Sequence, residues 1–287
     1  MTMPSKLKVN VYRSGSKIQH PRALFTAMLQ DLFSSKELAW RLLIRDLKAQ
    51  YRQSFLGFFW AFIPPVVSAI GLTLASNAEV INIGATDIPY PAYVMFSMSL
   101  WQTFVEAVSG PIQAVSKAKV MLSKINFPRE AIILAKLGEI LFNFGIKLCL
   151  IAGLFIWFDI PVSESAVFAF VALIHLVFLG TSIGLLIAPF GVLYHDFSRG
   201  LTLLTSLWFF LTPVIYPIPT AEGTFSTLVQ LNPVTPLLQA TRELTTEGSM
   251  SNSFSFWCAS CIAFVLLILA WIVYRLAMPY VVERMSS

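Results

Sequence analysis

Apolar residues occur along the chain in six long runs, separated by short polar segments. A helix needs about 20 consecutive apolar residues to cross a bilayer. The runs that meet this length lie at 56–76, 90–115, 134–158, 166–193, 201–219 and 254–274. The pattern therefore predicts an all-α integral membrane protein with six transmembrane helices.

Residues 36–53, before the first run, form an amphipathic pattern with the period of a helix. On a helix of 3.6 residues per turn, its apolar residues form one stripe and its basic residues lie opposite. The stripe consists of Trp40, Leu43, Ile44, Leu47, Tyr51 and Phe55. The basic face carries Arg41, Arg45, Lys48 and Arg52. A cationic amphipathic helix suits the membrane surface, where its charges meet anionic headgroups.

The connection between the fifth and sixth runs is long and half apolar. It predicts two short helices, at 224–231 and 236–247, separated by the Asn232-Pro233 turn signal, with Gly248 able to end the second. Irregular backbone at membrane depth is tolerated only where protein or a water-filled cavity covers it. We therefore expect a short external re-entrant hairpin packed against the spans. A loop lying on the membrane surface is the alternative.

The charge distribution predicts the orientation in the membrane. Only 12% of the 287 residues are charged, against about 25% in soluble domains. Ten Lys and Arg residues lie in 1–54, five in 116–136 and one in the 194–200 loop, whereas 77–89 and 159–165 have none. The positive-inside rule then places both termini in the cytoplasm and the spans in the cytoplasmic membrane. The same distribution explains the net charge of +5 without a nucleic-acid partner.

No motif for catalysis or nucleotide binding occurs in the chain. It has no GxxxxGK[ST], HExxH or GxSxG, so neither a P-loop nor these catalytic centres are expected. Three cysteines form no disulfide framework, and the three histidines are scattered. We expect no enzyme active site, no cofactor and no metal in this chain.

Charged residues inside the third run are candidates for function, because burying a charge in lipid is expensive. A polar stripe with three- and four-residue steps consists of Lys136, Glu139, Asn143 and Lys147. Lys147 lies roughly 16 Å along the helix from Lys136, near mid-bilayer, at the depth expected for Glu106 and His175. We hypothesise that Lys147, Glu106 and also His175 meet inside the bundle. Such a cluster is either a static charge pair or part of a polar lumen.

Aromatic side chains in the first two runs can stack on sugar rings as well as on lipid. The candidates for a substrate channel are Trp60, Phe62, Tyr90, Tyr93, Phe96 and Trp101. At the helical step, Tyr93 and Phe96 share a face. Plain contact with lipid is the alternative for each ring.

The segment 117–128 is short, basic and amphipathic, and by its charge it faces the cytoplasm. Its mixture of apolar and basic residues suits a helix docked against a soluble partner, since a plain tether would need fewer apolar residues. The residues that we expect to contact such a partner are Lys119, Lys124, Asn126, Phe127 and Arg129.

Four stretches, in this order and with this topology, resemble the permease subunits of ABC-type polysaccharide exporters, which move O-antigen, capsule or teichoic-acid polymers. They are YRQSFLGFFWAFIPP, KINFPRE, YHDFSRG and LNPVTPLLQATREL. The resemblance covers about residues 36–275. It implies a homodimer of six-span protomers, paired with two copies of a separate ABC ATPase that binds ATP and Mg²⁺.

By this resemblance, each segment of the chain has an expected role. The lead-in is 1–35, the permease domain 36–275, the interface helix 36–53, the coupling segment 117–128, the external hairpin 224–247 and the cytoplasmic tail 276–287. A glycan on a polyprenyl-pyrophosphate or another lipid would pass a channel lined by aromatic and polar groups. The four cations of the interface helix would attract the pyrophosphate, since clustered cations favour phosphate. Contact with anionic membrane lipid alone is the alternative.

The resemblance thus implies the transmembrane subunit of an ATP-driven exporter of lipid-linked polysaccharide. An ABC permease for a drug or a simple lipid is the alternative. A membrane-embedded glycan or acyl transferase would need a cluster of titratable residues near one membrane face. The spans offer only Glu106, Glu139, Lys147 and His175, mostly singly and at differing depths.

Overall fold

The computed structural model describes residues 21–52, 57–79, 84, 86–125, 127–219 and 223–286. Within these residues the chain is helical, with eleven α-helices, a short 3₁₀-helix at Gly57–Ala61 and no strand. The α-helices are α1 (Pro21–Ser34), α2 (Lys36–Arg52), α3 (Ile63–Asn77), α4 (Tyr90–Lys117), α5 (Lys119–Lys124), α6 (Glu130–Trp157), α7 (Ala166–Leu193), α8 (His195–Phe210), α9 (Thr224–Leu231), α10 (Val234–Thr246) and α11 (Ser253–Ser286). Parts of the predicted lead-in (1–20), of the interface helix and first span (53–56), of the coupling segment (Asn126) and of the tail (Ser287) lie outside the described residues.

The lengths of the helices confirm a membrane protein of the all-α class. By length and composition, α6, α7 and α11 can each cross a bilayer, and α4 has the same 28 residues as α6 and α7. The apolar α3 has 15 residues and α8 has 16. These two helices are roughly 22–24 Å long, which is less than the ~30 Å of a hydrocarbon core. The count of six spans therefore stays a prediction.

The bundle has two ends that differ in the elements they carry. The basic end consists of α1, α2, α5, the start of α6 and the end of α11. The hairpin end consists of α9, α10, the start of α4 and the end of α8. α7 runs between the two ends and packs against α4, α10 and α11.

Two glycines of α7 bring its backbone into contact with α4. A Cβ atom added at Gly184 would lie 2.4 Å from the carbonyl oxygen of Val108 and 2.8 Å from the ring of Pro111. One added at Gly180 would lie 2.8 Å from Cβ of Ala107. Small residues four apart allow such close approach of membrane helices, where packing has to replace the hydrophobic driving force. The α4–α7 contact therefore depends on the absence of a side chain at both positions.

The region of the fifth run differs from the prediction. α8 begins at His195, so the segment predicted as a 194–200 loop is helical except for Tyr194. The helix ends at Phe210 and not near residue 219. Proline lacks the donor that would continue a helix. The non-helical segment that follows contains Pro213, Pro217 and Pro219.

The connection between α8 and α11 contains the two predicted helices, and the buried side chain of Asn232 joins them to the end of α8. Oδ1 of Asn232 accepts hydrogen bonds from Nε1 of Trp208 (2.9 Å) and from the backbone N–H of Val234 (3.1 Å). Its Nδ2 donates to Oγ1 of Thr212 (2.9 Å) and to the carbonyl of Leu211 (3.2 Å). Because Asn232 receives the first N–H of the helix, α10 begins at Val234 and not at residue 236.

The second helix of the hairpin is packed inside the protein. Nine of the 13 residues of α10 are buried, and it contacts α4, α7 and α11. It ends where the sequence predicts, since Gly248 has a φ of +84° and donates its N–H to the carbonyl of Glu243 (2.9 Å). α10 is therefore not a loop that lies free on the membrane surface. Its entry into the bilayer stays a prediction.

We expect Gly184→Ala to destabilise the protein by about 1–3 kcal/mol, because the added methyl group must push α4 and α7 apart. The control is Gly153→Ala on α6, where an added Cβ meets nothing within 4 Å and helix propensity is improved by at most about 1 kcal/mol. Thermal unfolding of the purified protein in detergent measures both. Equal midpoints for the two variants would contradict the proposed close contact.

Candidate functional site

A buried ion pair joins α4 to α6 in the interior of the bundle. Nζ of Lys147 donates to Oε1 of Glu106 at 2.7 Å, and Nδ2 of Asn143 donates to Oε2 at 3.3 Å. The side chain of Lys147 is 2% exposed and that of Glu106 is 33% exposed. A buried ammonium group is tolerated only with such a partner. The predicted meeting of Lys147 with Glu106 is therefore found.

His175 does not join this pair. Its Nδ1 shares a hydrogen bond of 3.1 Å with Oγ of Ser260 on α11, and its ring lies against Phe256 and Phe178. The ring faces α11, whereas the ion pair lies between α4 and α6. The prediction that His175 joins the cluster is therefore wrong, because depth along the bundle does not determine which way a helix is turned.

The other charges of the polar stripe on α6 pair within the same helix. Nζ of Lys136 donates to Oε1 of Glu139 at 2.8 Å, and both side chains are about nine-tenths buried. A small polar pocket at this point is bordered by Arg45 and Asp46 of α2 and by Lys117 at the end of α4. The basic end thus places charged groups of three helices around one recess.

α2 packs through a face that is rotated from the predicted stripe. Ala39 and Leu42 are each 6% exposed, whereas Trp40 is 63% exposed. Leu43 does face the protein, since a Cβ added at Gly138 of α6 would lie 2.8 Å from its Cδ2. The predicted stripe is therefore divided, because Leu43 packs against α6 whereas Trp40 faces outward. The expected insertion of the stripe at the membrane surface stays a prediction.

The four cations of the interface helix lie at its surface. Nη2 of Arg41 pairs with Glu37 at 2.6 Å, and Arg45 pairs with Asp46 at 2.9 Å. Exposed pairs of this kind contribute little to stability. The remaining cations, Lys48 and Arg52, are exposed as well. The site proposed for an anionic headgroup therefore has accessible cations, two of which have carboxylate partners.

The aromatic candidates of α4 are packed within the protein. The Tyr90 hydroxyl donates to the carbonyl of Ile215 at 3.0 Å, and that of Tyr93 donates to the carbonyl of Tyr216 at 2.8 Å. These two bonds fasten the non-helical segment after α8 to α4. The exposed fractions of Tyr93, Phe96 and Trp101 are 0%, 2% and 6%.

The rings of Phe96 and Trp101 have aromatic neighbours on other helices. Phe96 meets Phe155 edge to face, and Trp101 lies between Phe104 and Phe209. A sugar could stack on the three buried rings of α4 only if these helices separated, so in this conformation they are packing residues. The two candidates that precede α4 in the chain are more exposed than these rings. Trp60 is 59% exposed and Phe62 is half-buried.

Arg242 is a buried charge at the hairpin end that the sequence patterns did not select. It is 6% exposed, its guanidinium lies 4.2 Å from the ring centre of Tyr93, and Nη1 donates to Oγ of Ser97 at 3.1 Å. A cation over an aromatic face is attracted by the ring quadrupole. The signal for it was present in the charge distribution, since no other Lys or Arg occurs in the segments predicted to be external.

Arg275 joins three helices at the basic end. Its Nη1 donates to Oε1 of Glu130 on α6 at 2.7 Å, and its Nη2 pairs with Oδ2 of Asp31 on α1. The Glu130 side chain is 8% exposed and the Arg275 side chain is 15% exposed. No sequence pattern predicted this cluster, because Asp31 and Arg275 are 244 positions apart in the chain.

The coupling segment presents apolar and basic groups side by side at its surface. Within α5, Leu122 is 7% exposed and anchors the helix, while Val120 is 65% exposed. Ile125, just beyond the helix, is 60% exposed. The expected contact residues Lys119 and Lys124 are also exposed, and Phe127 and Arg129 are half-buried. An exposed apolar surface ringed by cations is typical of a binding surface for another protein.

The ABC-2 type transporter family matches residues 37–245 of this chain. This range is more than half of the 287 residues, so the chain belongs to the ABC-2 type transporter family.

Relatives within this family have more specific names. The chain is 28% identical over 245 residues to the O-antigen export system permease protein RfbA of Myxococcus xanthus, covering 84% of this chain and 92% of that protein. It is 22% identical over 217 residues to the protein of the same name from Klebsiella pneumoniae, covering 73% and 80%. The polysialic acid transport protein KpsM of Escherichia coli is 20% identical over 237 residues, covering 82% and 91%.

The ion pair between Glu106 and Lys147 gives a prediction for a double-mutant cycle. Glu106→Leu should cost about 3–5 kcal/mol, since it leaves the 2%-exposed Lys147 charged and unpaired. Lys147→Met should cost less, because Glu106 keeps part of its hydration. The double variant should be more stable than Glu106→Leu alone. Thermal unfolding in detergent measures all three, and simple addition of the two single effects would contradict the pairing.

Proposed function

We propose that this chain is the channel-forming transmembrane subunit of an ATP-driven exporter that moves a lipid-linked polysaccharide across the cytoplasmic membrane. The observation that carries the proposal is the similarity to permeases named for O-antigen export and polysialic acid transport, which extends over 73–84% of the chain. The family match over 37–245 includes nearly all of the interface helix, the coupling segment and most of the predicted spans, so it is not limited to one motif.

In this proposal the chain crosses the membrane six times. The crossings are α3, α4, α6, α7, α8 and α11. The short α3 is preceded by the 3₁₀-helix Gly57–Ala61, and the short α8 is followed by the turns of 211–219, so that each crossing is completed by non-helical backbone. The basic end, with both termini, faces the cytoplasm by the positive-inside rule. The hairpin of α9 and α10 then lies on the outer side, dipping into the outer leaflet.

The channel is proposed to form between two copies of the chain. α8 packs against α7 and α4 within the described part of one copy, and part of its exposed surface is apolar. That surface consists of Leu203, Leu204, Leu207 and Phe210, each 61–68% exposed. A second copy meeting this surface would bury it. Glu106 and Trp60 keep enough exposure to contact a passing glycan, whereas the buried rings of α4 do not.

The energy for transport is proposed to come from two copies of a separate ABC ATPase, which would hold ATP and Mg²⁺. The surface formed by Val120, Ile125 and the neighbouring lysines suits this contact. ATP binding can open the channel only if the open and closed states bind the ATPase differently. α5 is suited to carry such a difference, because it is continuous with α4 through Ala118 and contacts α11.

The cationic face of α2 is proposed to attract the anionic head of the lipid carrier at the cytoplasmic entrance. Lys48 and Arg52 are exposed, and a phosphate group can compete with Glu37 for Arg41, since exposed pairs are weak. Clustered cations favour phosphate over other ligands. Contact with anionic membrane lipid uses the same groups.

Depletion of this protein in its own cells tests the function. We expect surface glycan to be lost and lipid-linked polymer to accumulate on the cytoplasmic side, because synthesis continues while export stops. Antibody or lectin staining of intact cells measures the surface glycan. The same staining of opened cells measures the polymer on the cytoplasmic side as well. Unchanged surface glycan would exclude polysaccharide export and favour a permease for a drug or a simple lipid.

A matched pair of variants tests whether α5 couples export to the ATPase. Ile125→Glu places a charge on the coupling surface and should abolish both restoration of surface glycan and co-purification of the ATPase. Val162→Glu, also 60% exposed but in the connection between α6 and α7 at the hairpin end, should restore export. Equal activity of the two variants would contradict the assigned docking surface.

A further inference from the structure

One side of α4 is left uncovered in the second half of the helix, and that side is polar. From Met98 onward, the residues that are not buried recur at steps of three or four positions or as adjoining pairs, so they lie within about a third of the helix circumference. Those between Gln102 and Ser116 are polar except for Val105. We call the polar residues the α4 stripe: Gln102, Glu106, Ser109, Gln113 and Ser116.

The stripe follows α4 through most of the thickness of a bilayer. From Gln102 to Ser116 it extends about 21 Å along the helix, against the ~30 Å of a hydrocarbon core. Its side chains are directed the same way, since Nε2 of Gln113 donates to Oγ of Ser109, one turn earlier, at 3.2 Å. In the middle of the stripe, Lys147 balances the charge of Glu106 at 2.7 Å.

The stripe lies between the side of α4 that meets α6 and the side that meets α8. Glu106, at one edge of the stripe, is paired with α6. Beyond the other edge, Trp101 packs against Phe209 of α8. The close contact with α7 uses the opposite side of α4, at Ala107 and Pro111. The stripe is therefore next to α8, whose apolar surface is proposed to meet a second copy of the chain.

Contact with lipid does not suit this side of α4. Amides, hydroxyls and carboxylates that leave water without gaining a partner lose free energy, and the stripe contains all three kinds of group. α6, α7 and α11 each contain a stretch that is apolar enough to cross a bilayer, whereas α4, which has the length of α6 and α7, does not. Polar groups on a transmembrane helix face protein or a water-filled cavity.

The stripe offers hydrogen-bond donors and acceptors without an unpaired cation. The amides of Gln102 and Gln113 and the two serine hydroxyls can each donate and accept. No Lys or Arg occurs among residues 102–116 or in α3, which packs beside them, and in α8 the one such residue is Arg199, near the start of the helix. Such a surface complements the hydroxyl groups of sugars, whereas carboxylates or phosphates on a polymer would need cations.

We propose that the α4 stripe is the hydrogen-bonding wall of a water-filled path, and that this path carries a polymer of uncharged sugar units. Polar groups that recur about every 5.4 Å, one helical turn, exchange hydrogen bonds with successive sugar hydroxyls, so that no single position holds the polymer. The substrate class rests on the export function proposed above. The water-filled path does not rest on it, since it follows from the position of the polar residues.

Cysteine accessibility tests the path without reference to the substrate. Gln102→Cys, Ser109→Cys and Gln113→Cys are introduced singly into protein whose three native cysteines are replaced by alanine. The control protein retains only Cys149, which is exposed and lies two residues beyond Lys147, on the outward side of α6. Membranes from cells that make the complete exporter are treated with ATP and a charged, membrane-impermeant thiosulfonate. The modified fraction of each cysteine is then measured by mass spectrometry.

The three stripe cysteines should be modified, whereas Cys149 should not, because hydrocarbon excludes a charged reagent and keeps the thiol protonated. Stripe cysteines that stay unmodified would overturn the proposal. A disulfide between two copies at Ser109→Cys, without modification by the reagent, would make the stripe an interface between copies and would also overturn it. Modified stripe cysteines in a protein whose depletion leaves surface glycan unchanged would support the path and overturn the substrate class.

Charges of opposite sign at Gln113 test the substrate class. Gln113→Glu and Gln113→Lys both keep a polar side chain at this exposed position. With an uncharged polymer, the two variants should restore surface glycan to depleted cells to the same extent. An acidic polymer would be repelled by the glutamate and attracted by the lysine. Restoration by Gln113→Lys alone would therefore overturn the uncharged class.

Removal of the amide tests whether the stripe acts through hydrogen bonds. Gln113→Leu should lower the rate of export about two- to ten-fold, which is the effect of one lost hydrogen bond. Met98→Leu, on the same side of α4 but without a hydrogen-bonding group, is the control and should leave the rate unchanged. The rate is measured by pulse-labelling the glycan and following its arrival at the surface, at equal amounts of protein in the membrane. Equal rates for the two variants would overturn the role of the stripe.

Discussion

The close contact between the backbones of α4 and α7 is the constraint on which the rest of the bundle depends. Inside a bilayer, apolar side chains gain nothing by leaving lipid for protein, so helices associate through packing and polar contacts. Gly180 and Gly184 allow α7 to reach α4, and α7 then serves as the support for α10 and α11. The hairpin and the last helix, which both follow α8 in the chain, are positioned through this one helix.

Buried polar contacts then fix the elements that packing alone would leave free to slide. Lys147 and Glu106 tie α6 to α4 in the interior, Asn232 ties the hairpin to the end of α8, and Arg242 binds α10 to α4 at Ser97. Arg275 joins α11 to α6 and α1 at the basic end. A polar group buried without its partner is costly. Each contact therefore favours the one arrangement of its helices in which the polar groups are paired.

The same contacts separate a rigid core from surfaces that remain available. The aromatic rings of α4 are enclosed, and the apolar face of α8, the coupling surface on α5 and the cations of α2 are exposed. A permease that opens between two copies needs this division, because the parts that move against each other must be rigid themselves. The exposed surfaces are also the ones that a second copy, an ATPase and a lipid carrier would contact.

Sequence periodicity predicted what depends on position along a helix and missed what depends on its rotation. Lys147 and Glu106 were expected to meet inside the bundle, and they do, but His175, which was expected to join them, faces α11. The packing of Leu43 against Gly138 of α6 was not predicted either, since the apolar stripe of α2 was expected to face the membrane boundary. Helix ends depended on single hydrogen bonds, such as the one that Asn232 receives from Val234. No local pattern contains such information.

Transport by the purified complex tests the assigned function most directly. The permease would be reconstituted with its ABC ATPase in liposomes, with lipid-linked glycan supplied in the outer leaflet on the ATPase side. ATP hydrolysis should deliver the glycan to the lumen, where an enclosed glycosidase cleaves it, and a non-hydrolysable ATP analogue should deliver none. ATP-dependent movement of an ordinary phospholipid in the absence of any glycan delivery would contradict the assignment.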